Sequence, residues 1–307
     1  MGKGTKIKSR LKIWWLIAAA AVFFLLTGSA AATYSKVITF GADLTRPQRS
    51  MLAGEFGVNL ADANIPVVDV TNAEERKFLQ GLVPDNVIGT RALSSAMVEI
   101  LPKGSGINVE TRNINWVTTD MYANALATAQ VRDARVVVAA PFPVSGTAAL
   151  TGIFKAFEVA TGKALGDRFK KVANEELVQT GQLGQEIGKE KASRLILLVK
   201  ERVLTERTRD PDQIRQIIIN VAGELNINLN NRQIKEITTL MQKIGGLNLS
   251  VRDISGQLTN LKSEVERAVG DKAQVKNWFQ QLLDAINRLV QQIRVLILGD
   301  EQASSRG

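Results

Sequence analysis

The sequence predicts an α/β fold, a mixed sheet with covering helices, followed by an all-α helical region that ends in an antiparallel coiled-coil-like hairpin. Three observations predict it. Short β-branched runs alternate with capped helical stretches as far as Phe142; past Pro141-Phe142-Pro143 the apolar period changes from about 2 to about 3.6 and stays there; and two heptad seams close the chain. With 307 residues, 45% of them hydrophobic, the chain can bury a sizeable core in more than one structural unit.

Residues 1–32 read as a secretory signal peptide. Lys3, Lys6, Lys8, Arg10 and Lys12 lead into Ile13-Trp14-Trp15-Leu16-Ile17 and an apolar run, then Thr27-Gly28-Ser29-Ala30-Ala31-Ala32, in which Ala30 and Ala32 have the spacing of an A-x-A cleavage site. The alternative is an uncleaved membrane anchor over 13–35, which would need Thr27, Gly28 and Ser29 inside a span of about 20 mostly apolar residues. Either way the cations stay cytoplasmic and the body lies outside, secreted or envelope-associated. The formal charge is +9, but removing that segment takes the basic residues from 39 to 34 against 30 acidic ones, a net +4. No nucleic-acid partner is expected at so mild a charge.

The α/β domain is read over 33–145. Val37-Ile38-Thr39-Phe40 is a strand, and Thr45-Arg46-Pro47-Gln48 has capping-box spacing, in which the Thr hydroxyl and the Gln side chain satisfy free backbone donors at a helix start. Val67-Val68-Asp69-Val70 and Thr71-Asn72-Ala73-Glu74 repeat the unit. Next, 93–101 and 107–114 flank Lys103-Gly104-Ser105-Gly106 and are expected to pair as a hairpin, with Ile100 facing Val109 and Val98 facing Thr111. Thr118 or Thr119 caps a helix through Met121, Leu126 and Val131, and Arg135-Val136-Val137-Val138-Ala139-Ala140 is a buried-looking strand.

The helical region is read over 146–249. Its apolar stripes are Leu150, Ile153, Phe154 and Phe157; Leu195, Ile196, Val199 and Val203; and Ile214, Ile217, Ile218, Val221 and Leu225. Asp210-Pro211 starts one helix, and Asn230 with Gln233 starts another. The hairpin is read over 250–298, with seams Val251, Ile254, Leu258, Leu261, Val265, Ala268 and Val275, Phe279, Leu282, Ile286, Leu289, Ile293, Leu296; residues 299–307 are expected to be a disordered tail. Beside the second seam stand Trp278, Leu283, Val290 and Ile297. A face that wide wants a second contact, so with Phe279 these residues are the candidate surface for a membrane, an anionic wall polymer or self-association.

Gly41-Ala42-Asp43-Leu44-Thr45, Ile88-Gly89-Thr90-Arg91-Ala92-Leu93-Ser94-Ser95, Gly104-Ser105-Gly106-Ile107-Asn108-Val109-Glu110-Thr111 and Ser145-Gly146-Thr147-Ala148-Ala149-Leu150-Thr151-Gly152 resemble the signature blocks of the YpuA-like family of exported Gram-positive proteins, a family classed as a domain of unknown function. The resemblance covers roughly 36–249 and implies export and one shared architecture. It implies no established activity and no catalytic residues.

The chain has neither cysteine nor histidine. That excludes disulfides, Ser-His-Asp and Cys-His nucleophile pairs, and His- or Cys-ligated zinc. No cofactor is expected. Catalysis would have to use carboxylates, Lys, Tyr or Ser. In the hairpin register Glu99 falls opposite Glu110, where two carboxylates would hold a hard cation or share a proton, and with Asp43 they are the catalytic candidates; the bland reading is a solvated face with Arg112 nearby. Turns at Asp43, Thr71 and Ser145 would line the carboxyl edge of the sheet, or simply cap helices. Ser145-Gly146 lacks a G-x-S-x-G elbow, and a Ser145–Lys155 pair would need proximity. Arg202, Arg207, Arg209 and Arg215 would meet anionic polymers or headgroups, but Glu201, Glu206, Asp210 and Asp212 sit among them. The expected function is a non-enzymatic exported envelope module; the alternative is a carboxylate-dependent hydrolase or metal-binding protein acting on wall material.

Overall fold

The computed structural model describes residues 34–83 and 88–258. The leader with Ala30 and Ala32, the seams past Leu258 with Trp278, Phe279, Leu283, Val290 and Ile297, and the tail lie outside the described residues. The chain divides into two compact units between Glu175 and Glu176.

The first unit is a five-stranded mixed sheet with strand order β2-β1-β3-β5-β4. Its elements are β1 (Lys36–Gly41), α1 (Arg46–Glu55), β2 (Val67–Val70), α2 (Asn72–Leu79), β3 (Ser95–Ile100), β4 (Ile107–Ile114), α3 (Thr119–Thr128), β5 (Ala134–Val144) and α4 (Ala149–Thr161). β1 with β2, and β4 with β5, are parallel pairs joined through a helix. β3 runs antiparallel between β1 and β5. The capping boxes Thr45/Gln48 and Thr71/Glu74 form as the spacing predicts, and Thr118 caps α3.

The expected hairpin does not form. β5 inserts between β3 and β4, so Glu99 lies opposite Arg135, and Glu110 lies opposite Val137. The composition of the strands explains why. The run 136–140 of β5 is buried on both faces, which requires an interior position, whereas Asn108, Glu110 and Arg112 make one side of β4 polar and suit an edge. The loop 101–106 therefore bridges two strand spacings, about 9.6 Å, around the start of β5. Asp133 locks it there: its Oδ1 accepts from the N–H groups of Gly104 (2.9 Å) and Gly106 (3.0 Å), while Leu101 N–H donates to Asp133 O at 2.7 Å. At the other end of β4, Asn113 takes a positive φ of 56° as a bulge, and its Nδ2 donates to Ala140 O at 2.9 Å.

One face of the sheet packs Ile38, Phe40, Met97, Val137 and Ala139 against Leu52, Ala53 and Phe56 of α1 and its C-terminal end. The other face carries α4, whose Gly152 lies close enough to Thr39 that a Cβ would approach its Oγ1 to 2.8 Å. α4 thus starts where the period changes, yet packs on β1 and β3 within the sheet unit.

Beyond it run α5 (Asp167–Ile187), α6 (Lys189–Glu206), α7 (Pro211–Glu224), α8 (Asn231–Gly245) and α9 (Val251–Gln257). The unit division falls inside α5. Asp210 caps α7, Asn230 and Gln233 form a capping box on α8, and Ser250 caps α9. In the second unit α6 is the central helix, touched by α7, α8 and α9. The predicted stripes Leu195, Ile196, Val199, Val203 and Ile214, Ile217, Ile218, Val221 lie in its core, while Leu225, at the C-cap of α7, is only half-buried.

Candidate functional site

Four parallel strand ends and the start of β3 converge on one edge of the sheet, the place where α/β folds hold ligands. Asp43 sits there, and its carboxylate accepts from Ala92 N–H at 2.7 Å while its own N–H donates to Ala92 O at 3.3 Å. Gly41 permits this approach, since a Cβ would meet Ala92 O at 2.2 Å. The blocks around Asp43 and Arg91-Ala92, distant in sequence, are therefore two halves of one structural clasp.

Beside the clasp lies a carboxyl that sequence reasoning missed. Glu75 of α2 is 1% exposed. Burial pushes its pKa up to about 8; the Asn72 side chain opposes the shift, and the charges of Asp43 and Glu74 add to it. Asn72 Nδ2 reaches Glu75 Oε2 and Gly89 O at 3.4 Å each, and Arg76 donates to Asn72 Oδ1 (3.0 Å) and Gly89 O (2.8 Å). The signal was available, because Glu75 shares the inward face of α2 with the buried Leu79 four residues on.

The two other predicted carboxylates are not a pair. Arg135 stands between them, donating to Glu110 Oε1 through Nε (3.0 Å) and Nη2 (2.8 Å) and lying 3.6 Å from Glu99 Oε2. Hydrogen bonding to Glu110 outweighs desolvation and holds the guanidinium more firmly charged than usual. Lys36 flanks Glu99 at 3.8 Å, and Arg112 donates to Glu55 O. This is the bland reading, with Arg135 as the chief cation rather than Arg112.

Ser145 and Lys155 do not meet as a dyad. Ser145 Oγ shares a 3.3 Å hydrogen bond with Thr147, whereas Lys155 donates to Glu74 Oε1 (2.6 Å) and Asp69 O (2.7 Å). Burial raises the pKa of Glu74, but the bonds from Lys155 and Thr71 outweigh it and hold the group below the usual carboxylate range. Gly146 adopts a φ of 89°, and the buried Tyr122 hydroxyl donates to its carbonyl at 2.5 Å, fixing the turn into α4.

In the helical unit the arginines are largely engaged. Arg202 forks onto Glu224 (3.2–3.3 Å), Arg209 holds Gly245 O and Asn248, and Arg215 reaches Asn231. The interior also holds charge: Lys200 and Glu176, both with fully buried side chains, pair at 2.7 Å, and Ser255 donates to the neighbouring Glu201 at 2.9 Å. No sequence pattern announced this pair, since Lys200 follows the apolar run 195–199. Between α6 and α7 opens a cavity of about 370 Å³ lined by Arg202, Glu206, Gln213, Gln216, Ile217 and Asn220. Among the described residues no three acidic groups converge as a metal site, and no helix is long and apolar enough to cross a membrane.

Comparison with known proteins agrees with the resemblance read from the sequence blocks. The chain is 39% identical over 255 residues to the uncharacterized protein YpuA of Bacillus subtilis (strain 168), an alignment spanning 83% of this chain and 87% of that one. No solved structure matches. The family described as "Protein of unknown function (DUF1002)" matches residues 40–261. The chain belongs to the DUF1002 family.

Proposed function

We propose that this chain is an exported, cell-envelope-associated binding protein without catalytic activity. The sheet unit serves as scaffold, and helical surfaces, including the apolar face with Trp278, Phe279, Leu283, Val290 and Ile297, make the attachments. One observation carries the non-catalytic part: each carboxylate nominated from sequence is already engaged inside its own unit, Asp43 by the Ala92 amide and Glu99 and Glu110 by Arg135. A general acid or a metal ligand needs a carboxylate free to reach its substrate or ion. The basic leader with its A-x-A end supports export.

Fractionation of a Gram-positive host expressing the full-length chain tests the reading. The expected product begins at Thr33, resists washing from the envelope and releases no soluble wall fragments. A full-length product soluble in the cytoplasm, or wall degradation lost in an Asp43→Asn, Glu99→Gln, Glu110→Gln variant, overturns it.

The hydrolase reading retains one favourable observation, the buried Glu75 with its pKa pushed up to about 8, since a carboxyl that keeps its proton near neutral pH can serve as a general acid. Its burial argues against contact with a polymer. Wall lysis by the wild-type chain that disappears in Glu75→Gln would establish it.

A further inference from the structure

The cavity between α6 and α7 is lined by polar side chains that the packing of the two helices does not require. Gln213, Gln216, Ile217 and Asn220 recur at i, i+3, i+4 and i+7 along α7, so they form a single row facing Arg202 and Glu206, which are one turn apart on α6. The row extends about 10 Å. At about 370 Å³ the cavity falls within the range of small-ligand sites, roughly 300–1,000 Å³.

The lining is partly pre-set. Arg202 is held by its fork on Glu224, which lies four residues past Asn220. Gln216 Nε2 donates to Asn220 Oδ1 at 3.2 Å, and Thr208 Oγ1 donates to Gln213 Oε1 at 2.6 Å. These bonds fix what remains. By elimination the atoms left for a ligand are the amide N–H groups of Gln213, the carbonyl of Gln216, the amide N–H groups of Asn220 and the carboxylate of Glu206. Donors and acceptors therefore alternate along the row, with the buried Ile217 as an apolar floor.

That pattern selects a ligand class. A phosphate polymer would meet Glu206, and the nearest guanidinium is already neutralised by Glu224. An apolar helix would leave three carboxamide side chains without partners. A ligand carrying hydroxyls and secondary amides, each both donor and acceptor, satisfies the alternation, and a methyl group would seat on Ile217.

We propose that this cleft binds a neutral N-acetylated saccharide. The proposal rests on the envelope placement argued above for its biological sense, but the binding chemistry stands independently of it. With no aromatic ring among the lining residues, affinity depends on hydrogen bonds.

The test is titration of the purified chain with N-acetylglucosamine oligomers, followed by amide NMR. Saturable shifts confined to 202–206 and 213–220 are expected. Gln216→Ala and Asn220→Ala, both exposed helix positions, should each raise the dissociation constant about five- to tenfold, the loss of roughly one good hydrogen bond, with unchanged far-UV circular dichroism. Absence of shifts, shifts elsewhere, or stronger shifts with an alanine-containing peptide or with oligomeric glycerol phosphate overturns the proposal. Envelope retention in the fractionation experiment would survive any of those results, so the two ideas fail separately.

Discussion

Glu75→Gln offers the sharpest measurement on this molecule. In the native state the Glu75 carboxyl keeps its proton up to about pH 8, while in the unfolded chain it ionises near 4.5. Between those values the folded protein binds more protons than the unfolded one, so stability falls as pH rises through the window. Each pH unit is worth about 1.4 kcal/mol, which sets a ceiling of roughly 5 kcal/mol across the window, less whatever rearrangement brings solvent to the carboxylate. Glutamine has nearly the shape of the protonated acid, retains an acceptor for Asn72 and does not titrate. Wild type and variant should therefore melt together near pH 4.5 and diverge above it. At about 2–4 °C per kcal/mol for a unit of this size, the variant should lead by on the order of 10 °C at pH 8. Circular dichroism melts at half-unit pH steps measure it. Parallel curves, or a variant less stable at pH 8, would mean that Glu75 is charged and paired in the native state, and the reasoning would fail.

Other substitutions separate buried from exposed charge. Lys200→Met strands Glu176 in the interior and should cost about 3–5 kcal/mol in urea unfolding, most of it recovered in Glu176→Leu/Lys200→Met; a cost below about 1 kcal/mol would show that water reaches the pair. Arg135→Met, at a partly exposed ion cluster, should cost less than about 1 kcal/mol. Gly41→Ala drives a Cβ into the Ala92 carbonyl and should lower stability by about 1–3 kcal/mol, read as a lower melting temperature. Leu283→Asp with Val290→Asp should abolish self-association in sedimentation velocity or flotation with liposomes. If neither changes, the terminal face has no attachment role.

Local chemistry was legible from sequence, and pairing was not. Thr45/Gln48, Thr71/Glu74 and Asn230/Gln233 became capping boxes because a cap is decided within four residues. β2 matches its apolar run residue for residue. The hairpin failed because turn residues and alternation describe two strands without saying whether a third comes between them. The informative signal lay in β5, where Val136-Val137-Val138-Ala139-Ala140 is too apolar for an edge. The same error created the Glu99–Glu110 site, which disappears once Arg135 occupies the intervening strand. Glu75 and Lys200 were passed over for a related reason: each sits on an apolar helical face, and a periodicity scan treats a lone charge there as noise rather than as a buried group needing a partner.

The carboxyl edge of the sheet and the α6–α7 cleft differ in how their polar groups are used. At the edge, position alone suggests a ligand site, yet the Asp43 carboxylate holds an amide, Lys155 holds Glu74 and Asp69, and Tyr122 pins the Gly146 turn. A ligand arriving there would have to displace bonds that hold the unit together, and the loss of those bonds would offset part of its affinity. In the cleft the internal bonds engage only one atom of each carboxamide and leave the other for a ligand. Binding there exchanges water for ligand and leaves the fold intact. Fold topology nominates the first site and hydrogen-bond accounting the second. For a chain whose nominated carboxylates all serve the fold, hydrogen-bond accounting is the better guide to where a partner would bind.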